Sequence, residues 1–103
     1  METYEKKRIE IILEAPALPR LERMLQASEA TGYTVLPALS GYGTSGTWSR
    51  AGAITDAERM VVVVCVLDPG HADAVLQQVF EIIEHRIGLV TVSSVEVIRR
   101  ERF

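Results

Sequence analysis

Residues 60–67 read Met-Val-Val-Val-Val-Cys-Val-Leu, an unbroken apolar run bounded by Arg59 and Asp68. Side chains alternate between the two faces of a strand, so a strand made only of apolar residues needs cover on both faces. The run is much shorter than the roughly 20 residues that a membrane-spanning helix needs. We therefore expect a central strand, covered on both faces, in which Cys65 is an inert core residue.

The segments around this run predict two helices and three further strands. Alternation predicts a strand over residues 8–15, and helical spacing of apolar residues continues from residue 18 to the Thr31-Gly32 pair. A second strand is expected over residues 33–39, a second helix over 69–86 and a long last strand over 88–100. The order is therefore βαββαβ.

This order is typical of a ferredoxin-like α+β sandwich, in which an antiparallel four-stranded sheet carries both helices on one face. The run at residues 60–67 also supplies apolar side chains to the other face. Because no further helix is available, we expect another copy of the chain to cover that face.

Length and composition restrict the classes of protein open to this chain. A chain of 103 residues with 48% apolar residues is one ordinary domain, which we assign to residues 1–103. The net charge of −3 disfavours broad electrostatic capture of nucleic acid. A single cysteine cannot form an internal disulfide, and the polar start predicts no secretion signal, so we expect a cytoplasmic protein.

Residues 40–58 separate two predicted strands and contain four of the seven glycines. A connection of this length is uncommon in a compact domain unless it binds a ligand or a partner or is disordered. We therefore predict a long flexible loop over about residues 40–59 and expect function to be found there.

Four short motifs follow one another along the chain. They are Thr-Gly-Tyr-Thr-Val at residues 31–35, Gly-Tyr-Gly at 41–43, Arg-Ile-Gly at 86–88 and Val-Ile-Arg at 97–99. With these motifs in this order, the chain resembles the PII signalling superfamily over its whole length, and in particular the divergent PII-like proteins associated with carboxysomes and bicarbonate uptake. The resemblance implies a homotrimer built around the sheets, with adenine nucleotides bound in clefts between neighbouring subunits.

The resemblance also implies which residues bind the nucleotide. Glycine lets the backbone approach phosphate oxygens closely, and arginine neutralises their charge with forked hydrogen bonds. A threonine hydroxyl can reach the adenine or the ribose. The implied nucleotide-binding residues are Thr31, Gly32, Gly41, Gly43, Arg86, Gly88, Arg99 and Arg102.

Two departures from the family pattern change the expected ligands. Nitrogen-regulatory members carry a glutamine that helps to bind Mg-ATP and 2-oxoglutarate where this chain has Ser45. Their lysine for the outer phosphates, in an Asp-Gly-Lys sequence after Ile-Gly, is also missing, since Leu89 follows Gly88. Fewer cationic groups compensate a third phosphate poorly. We therefore expect ADP or AMP to compete better against ATP than in those members, and no sensing of 2-oxoglutarate.

The long loop resembles the T-loop through which the family binds partners, although it is shorter and lacks a tyrosine at the usual modification position. The residues expected to contact an effector or partner are Ser45, Trp48, Arg50 and Arg59. An exposed tryptophan beside an arginine is a common interface pair, although a tryptophan folds back onto its own subunit as readily. The subgroup implies bicarbonate as a second ligand and a membrane transporter or carboxysome-associated protein as partner.

Other chemistry is not indicated by the sequence. His71, His85 and Cys65 fit no established metal-ligand spacing, so we predict no metal site, and no catalytic group is favoured. We therefore expect a regulatory protein rather than an enzyme. The alternative is a nucleotide-independent trimeric scaffold, similar to metal-tolerance proteins of the same architecture. Millimolar adenine nucleotide would raise the melting temperature of a nucleotide-binding protein and leave that of the scaffold unchanged.

Overall fold

The structure is a computed structural model, and it describes residues 1–43, 46–49 and 59–99. The strands are β1 (Tyr4–Glu14), β2 (Thr34–Pro37), β3 (Ser40–Gly43), β4 (Gly46–Ser49), β5 (Met60–Leu67) and β6 (Gly88–Val97). The helices are α1 (Leu18–Ala27), which follows a short 3-10 turn at Ala15–Ala17, and α2 (Pro69–Ile83).

Four strands form one antiparallel sheet in the order β2-β5-β1-β6. The apolar run is therefore an inner strand, and its bounds agree with the predicted ones to the residue. β1 is the other inner strand, and it pairs with β6 along ten residue positions, from Tyr4 opposite Val97 to Leu13 opposite Gly88. The expected α+β arrangement of one antiparallel sheet and two helices is confirmed.

The core lies between the sheet and both helices. Alternate residues of β1 and β5 point to this side, and the helices cover them with their own apolar stripes. The core is made of Ile9, Ile11, Leu13, Val61, Val63, Cys65 and Leu67 from the two inner strands, Leu21 and Leu25 from α1, Val75, Val79 and Ile82 from α2, and Ala17. Burial raises the pKa of the Cys65 thiol, as expected for a core cysteine.

The other face of the sheet carries apolar side chains without a helix over them in the described part of the chain. The register places Ile12, Val62, Val64 and Leu36 on this face, and Leu36 remains 48% exposed. At the far edge Leu89, which pairs with Ile12, is 58% exposed. This surface, called the open face below, is the one that the sequence predicts to be covered by another copy.

Helix α1 ends at Ala27, four residues before the predicted stop at Thr31-Gly32. Ser28 is the reason, because its side chain bonds the local backbone in place of a further helical turn. Its hydroxyl donates to the carbonyl oxygen of Leu25 at 2.8 Å and accepts from the amide of Ala30 at 3.1 Å. The residues after Ser28 are thereby released from the helix.

The segment predicted as one continuous loop contains a β-hairpin. β3 and β4 pair from Ser40 opposite Ser49 to Gly43 opposite Gly46, with two residues between the strands. Two short strands joined by two residues are typical of a hairpin. The sequence does not predict strands here because the segment is rich in glycine, which is depleted in strands. The predicted flexibility of residues 40–59 stays a prediction.

Candidate functional site

A cleft of about 300 Å³ opens beside the edge of β5, where the chain arrives from α1 and enters β2. Its walls are residues 31–34 on one side and residues 64–66 on the other. Thr31 and Gly32, which the sequence predicts to bind nucleotide, both line this cleft.

The cleft exists because β2 is shorter than the strand that it pairs with. The pairing runs from Pro37 opposite Val61 to Thr34 opposite Val64 and then stops, three residues before the end of β5. The amide of Ala38 donates to the carbonyl oxygen of Met60 at 3.1 Å, so the even-numbered residues of β5 direct their backbone groups toward β2. Val66 is the next even position, opposite Gly32, where pairing has ended. Its N–H and C=O therefore face the cleft as a neighbouring donor and acceptor.

The wall opposite Val66 is held to helix α1 by Tyr33. The Tyr33 hydroxyl donates to Glu22 Oε2 at 2.8 Å and accepts from Gln26 Nε2 at 2.9 Å. The hydrogen bond to the Glu22 carboxylate is the main reason why the pKa of Tyr33 is raised above its ordinary value. Gly32 lies beside this anchor, and a Cβ added there would meet no atom within 4 Å.

A buried cation lies at the same end of the sheet. Lys6 is only 4% exposed, and its ammonium group donates to and pairs with the carboxylate of Asp68. Because Lys7 pairs with Leu67, Lys6 lies opposite Asp68, the residue two positions after Val66. The hydrogen bond from Lys6 lowers the pKa of Asp68 below its ordinary value. Arg99 follows β6 at this end and is exposed.

A second group of predicted site residues lies where β1 ends and β5 and β6 begin. Arg86 Nη1 lies 3.8 Å from Glu14 Oε1, and the amide of Ala15 donates to the carbonyl oxygen of Arg59 at 2.9 Å. Gly88 pairs with Leu13, and a Cβ added to it would lie 2.9 Å from the backbone oxygen of Ile12. The β3–β4 hairpin, with Gly41 and Gly43, leaves the sheet from this end.

We call these two places the cleft end and the hairpin end. The cleft end contains Thr31, Gly32 and Arg99, and the hairpin end contains Gly41, Gly43, Arg59, Arg86 and Gly88. Along the strands the ends differ by five residue positions, from Leu13 to Arg8, which is about 17 Å. Across the sheet the edge strands are three strand spacings apart, about 14 Å, so Gly32 and Gly88 are separated by about 20 Å. One chain does not gather the predicted site residues into one cleft.

Four predicted residues cannot be placed in either group. Ser45, Arg50 and Arg102 lie outside the described residues, and for Trp48 only the backbone, in β4 opposite Gly41, is described. Their predicted roles stay predictions.

Sequence reasoning missed three features of the cleft. The backbone edge of Val66 follows from the unequal lengths of β2 and β5, for which Gly32 before the predicted second strand and Pro37 within it are a weak signal. The bond from Tyr33 to Glu22 joins residues 11 apart, and the pair of Lys6 with Asp68 joins residues 62 apart. No local pattern indicates contacts of this kind.

Within residues 1–43, 46–49 and 59–99 no group of three or more histidine, cysteine, aspartate or glutamate side chains could hold a metal ion. In the same part of the chain neither helix combines the length and the apolar character needed to cross a bilayer.

Comparison with known families and structures gives one consistent result. The family model described as nitrogen regulatory protein P-II matches residues 6–102. Among curated proteins none matches the sequence significantly.

Solved structures agree with the family match. The structure of CPII, a PII-like protein from Thiomonas intermedia, bound to ADP, AMP and bicarbonate, has a TM-score of 0.89 at 24% identity, covering 99% of this chain and 96% of that one. CPII bound to ADP and bicarbonate has a TM-score of 0.85 at 25% identity, covering 99% and 97%. A PII-like signalling protein from Thermus thermophilus has a TM-score of 0.82 at 23% identity, covering 100% and 99%. The likeness to these proteins is one of fold over the whole chain.

Proposed function

This chain belongs to the P-II family, and from that premise we propose that it is a regulatory protein that binds an adenine nucleotide in a site shared by two copies of the chain. The observation that carries the proposal is the cleft beside β5, with the unpaired backbone edge of Val66 facing Gly32. Three copies complete the assembly, as the family resemblance implies.

The cleft suits an adenine ring. The amino group and the neighbouring ring nitrogen of adenine are a donor and an acceptor side by side, which matches the C=O and N–H of Val66. The side chain of Val64 supplies an apolar surface, and the Thr31 hydroxyl is a further polar group at the rim. ADP, AMP and ATP share this part of the molecule, so the cleft end serves all three.

The phosphates are bound by the hairpin end of a neighbouring copy. Within one chain Gly88 lies about 20 Å from Gly32, on the opposite edge of the sheet, and the β3–β4 hairpin leaves the sheet from the end of β2 that is remote from the cleft. Association of copies through the open face brings the two ends of different chains together. The backbone at Gly41 and Gly43 and the side chain of Arg86 then meet the phosphates, with Arg99 on the cleft side. Arg102, which lies outside the described residues, is proposed to bind the phosphates as well.

Burial of the open face supplies the association energy. Its apolar side chains, such as Leu36 and Leu89, are about half exposed in one chain. Each 100 Å² of apolar surface that a second copy covers is worth about 2.5 kcal/mol before the cost of association. A site shared between subunits thus forms as a consequence of trimer assembly.

The ligand preference follows from the charges available. Without the lysine of the nitrogen-regulatory members, ADP and AMP are favoured over ATP, with bicarbonate as a second small anion near Arg50 or Arg59. CPII, the structural relative, has been solved with ADP, AMP and bicarbonate. The bound nucleotide favours one conformation of the segment containing Ser45 and Trp48, which docks on a cytoplasmic partner in inorganic-carbon metabolism. The protein acts by binding and has no enzymatic activity of its own.

Calorimetric titration with ADP, AMP and Mg-ATP, each with and without bicarbonate, tests the proposal. We expect ADP and AMP to bind, and bicarbonate to change their affinity. A preference of tenfold or more for Mg-ATP over both would contradict the ligand assignment. No binding of any of the three, with an unchanged melting temperature at millimolar nucleotide, would favour the nucleotide-independent scaffold.

A further inference from the structure

We propose that the hydrogen-bonded group formed by Tyr33, Glu22 and Gln26 is a latch that sets the position of the Thr31–Gly32 wall and thereby the affinity for nucleotide. This inference rests on the proposed function. It assigns a positioning role to three residues that need not touch the nucleotide.

The wall has few other attachments. Residues 31–33 lie between α1 and β2, and no backbone–backbone hydrogen bond joins them to another described residue. On the helix side the nearest anchor is Ser28, whose hydroxyl accepts from the amide of Ala30 at 3.1 Å. On the strand side pairing begins only at Thr34. The hydroxyl of Tyr33 thus makes the only side-chain hydrogen bonds that the described contacts show within residues 31–33, beside the packing of its ring on the core.

The latch has a direction that follows from its donors and acceptors. Gln26 donates its amide N–H to the Tyr33 oxygen, which leaves the hydroxyl proton free to point at Glu22. Glu22 and Gln26 are four residues apart on α1, so their side chains project from the same face of one helical turn. A hydrogen bond to an ionised carboxylate is stronger than a neutral one.

The consequence for binding is pre-organisation. If Tyr33 holds the wall at a fixed distance from Val66, the cleft has its width before the ligand arrives, and little ordering cost falls on the binding step. Phenylalanine at this position keeps the ring, which packs against the core, and removes both hydrogen bonds. The wall then samples more positions, and the affinity falls while the fold is retained.

The test compares Tyr33→Phe, Glu22→Ala and Glu22→Gln with Glu81→Ala, a matched control on the exposed side of α2. We expect Tyr33→Phe and Glu22→Ala each to weaken ADP binding by about three- to tenfold, and the double variant Y33F/E22A to bind no more weakly than Tyr33→Phe alone. Glu22→Gln keeps an acceptor for the Tyr33 hydroxyl, and we expect it to bind ADP with an affinity within about twofold of the wild-type value. Glu81→Ala binds as the wild type does.

Amide hydrogen exchange of Thr34 and Val64, the pair at which β2 begins to bond β5 next to the wall, provides the second readout in the nucleotide-free protein. Faster exchange in Tyr33→Phe than in the wild type, at unchanged melting temperature, supports the latch. Unchanged exchange and unchanged ADP affinity in Tyr33→Phe would overturn the latch and leave the proposed function standing. Equal weakening by Glu22→Gln and Glu22→Ala would also overturn it. If the wild type itself binds no nucleotide, the proposed function fails, and the positioning role fails with it.

Discussion

Two glycines that the sequence assigns to one nucleotide site differ in what surrounds them. A Cβ added to Gly88, at the hairpin end, would lie 2.9 Å from the backbone oxygen of Ile12, whereas one added to Gly32, at the cleft end, would meet no atom within 4 Å. The fold itself therefore requires glycine at position 88. No contact in the described part of the chain requires it at position 32, which leaves space there for a ligand or a second copy. The comparison separates a glycine needed for packing from a glycine available for binding.

The largest effect is expected from Gly88→Ala. The methyl group would press on the backbone of β1, which cannot move without disturbing the centre of the sheet, so we expect the free energy of unfolding to fall by about 1–3 kcal/mol. Urea denaturation measures it. Gly70→Ala is the matched control, because a Cβ at Gly70 also meets no atom within 4 Å. Equal stability of Gly88→Ala and Gly70→Ala would show that packing does not require glycine at position 88.

Gly32→Ala is expected to leave the stability of the protein unchanged and to weaken nucleotide binding. The melting temperature stays within about 2 °C of the wild type because the added methyl meets open space. Affinity for ADP and AMP falls about tenfold for both, since the methyl narrows the part of the cleft that receives their common adenosine. Calorimetry with both nucleotides measures this. Unaltered affinity would show that the ligand does not approach Gly32.

Arg86→Ala tests whether the hairpin end contacts the outer phosphate of the nucleotide. Its ion pair with Glu14 is long, 3.8 Å, and the Arg86 side chain is 37% exposed, so stability should change by less than about 1 kcal/mol. We expect affinity for ADP to fall by about tenfold and for AMP by less than about threefold, because AMP lacks the outer phosphate. Arg20→Ala, at an exposed position of α1, is the control. An equal loss for the two nucleotides would place Arg86 away from the outer phosphate.

The smallest effect concerns Lys6 and Asp68. Lys6 lowers the pKa of Asp68 below its ordinary value of 3.8, so the carboxylate stabilises the fold above that pH, and this contribution is lost as the pH falls through the lowered pKa. We expect Asp68→Asn to lower the melting temperature at pH 7 and the difference from the wild type to shrink below about pH 4. Asp73→Asn, at an exposed position of α2, controls for the substitution. A difference that is independent of pH would contradict the ion pair.

The central strand was predictable because its signal is local. An apolar run between Arg59 and Asp68 defines β5, and Asp68-Pro69 marks where α2 begins. Helix α1 ended early because one hydroxyl, that of Ser28, competes with the helical backbone bonds. Such competition is not visible in the spacing of apolar residues.

The sequence proposes the residues of the candidate site but does not show where in the fold they lie. Spacing along the chain puts Thr31, Gly32, Arg86 and Gly88 in a family order, but only strand register shows that they lie at two ends of the sheet. The hydrogen bond from Tyr33 to Glu22 depends on how the chain returns past α1 before it enters β2, which no local pattern encodes. Long-range pairing is what the structure adds.

In the trimer that we propose, each nucleotide site uses the cleft end of one copy and the hairpin end of another. Gly32→Leu and Gly43→Leu make the same change at the two ends, and at both positions a Cβ meets no atom of the described residues within 4 Å. Each variant alone should bind no ADP at a concentration that saturates the wild type.

The decisive measurement is ADP binding by trimers assembled from an equal mixture of the two variants, with mixed composition verified by native mass spectrometry. Random assembly puts both variants in about three quarters of the trimers. Each mixed trimer has about one site in three at which both contributing ends are unmutated. About a quarter of the wild-type number of ADP sites should therefore return. If mixed trimers form and no ADP binding returns, both ends of a site come from one chain and the account is wrong.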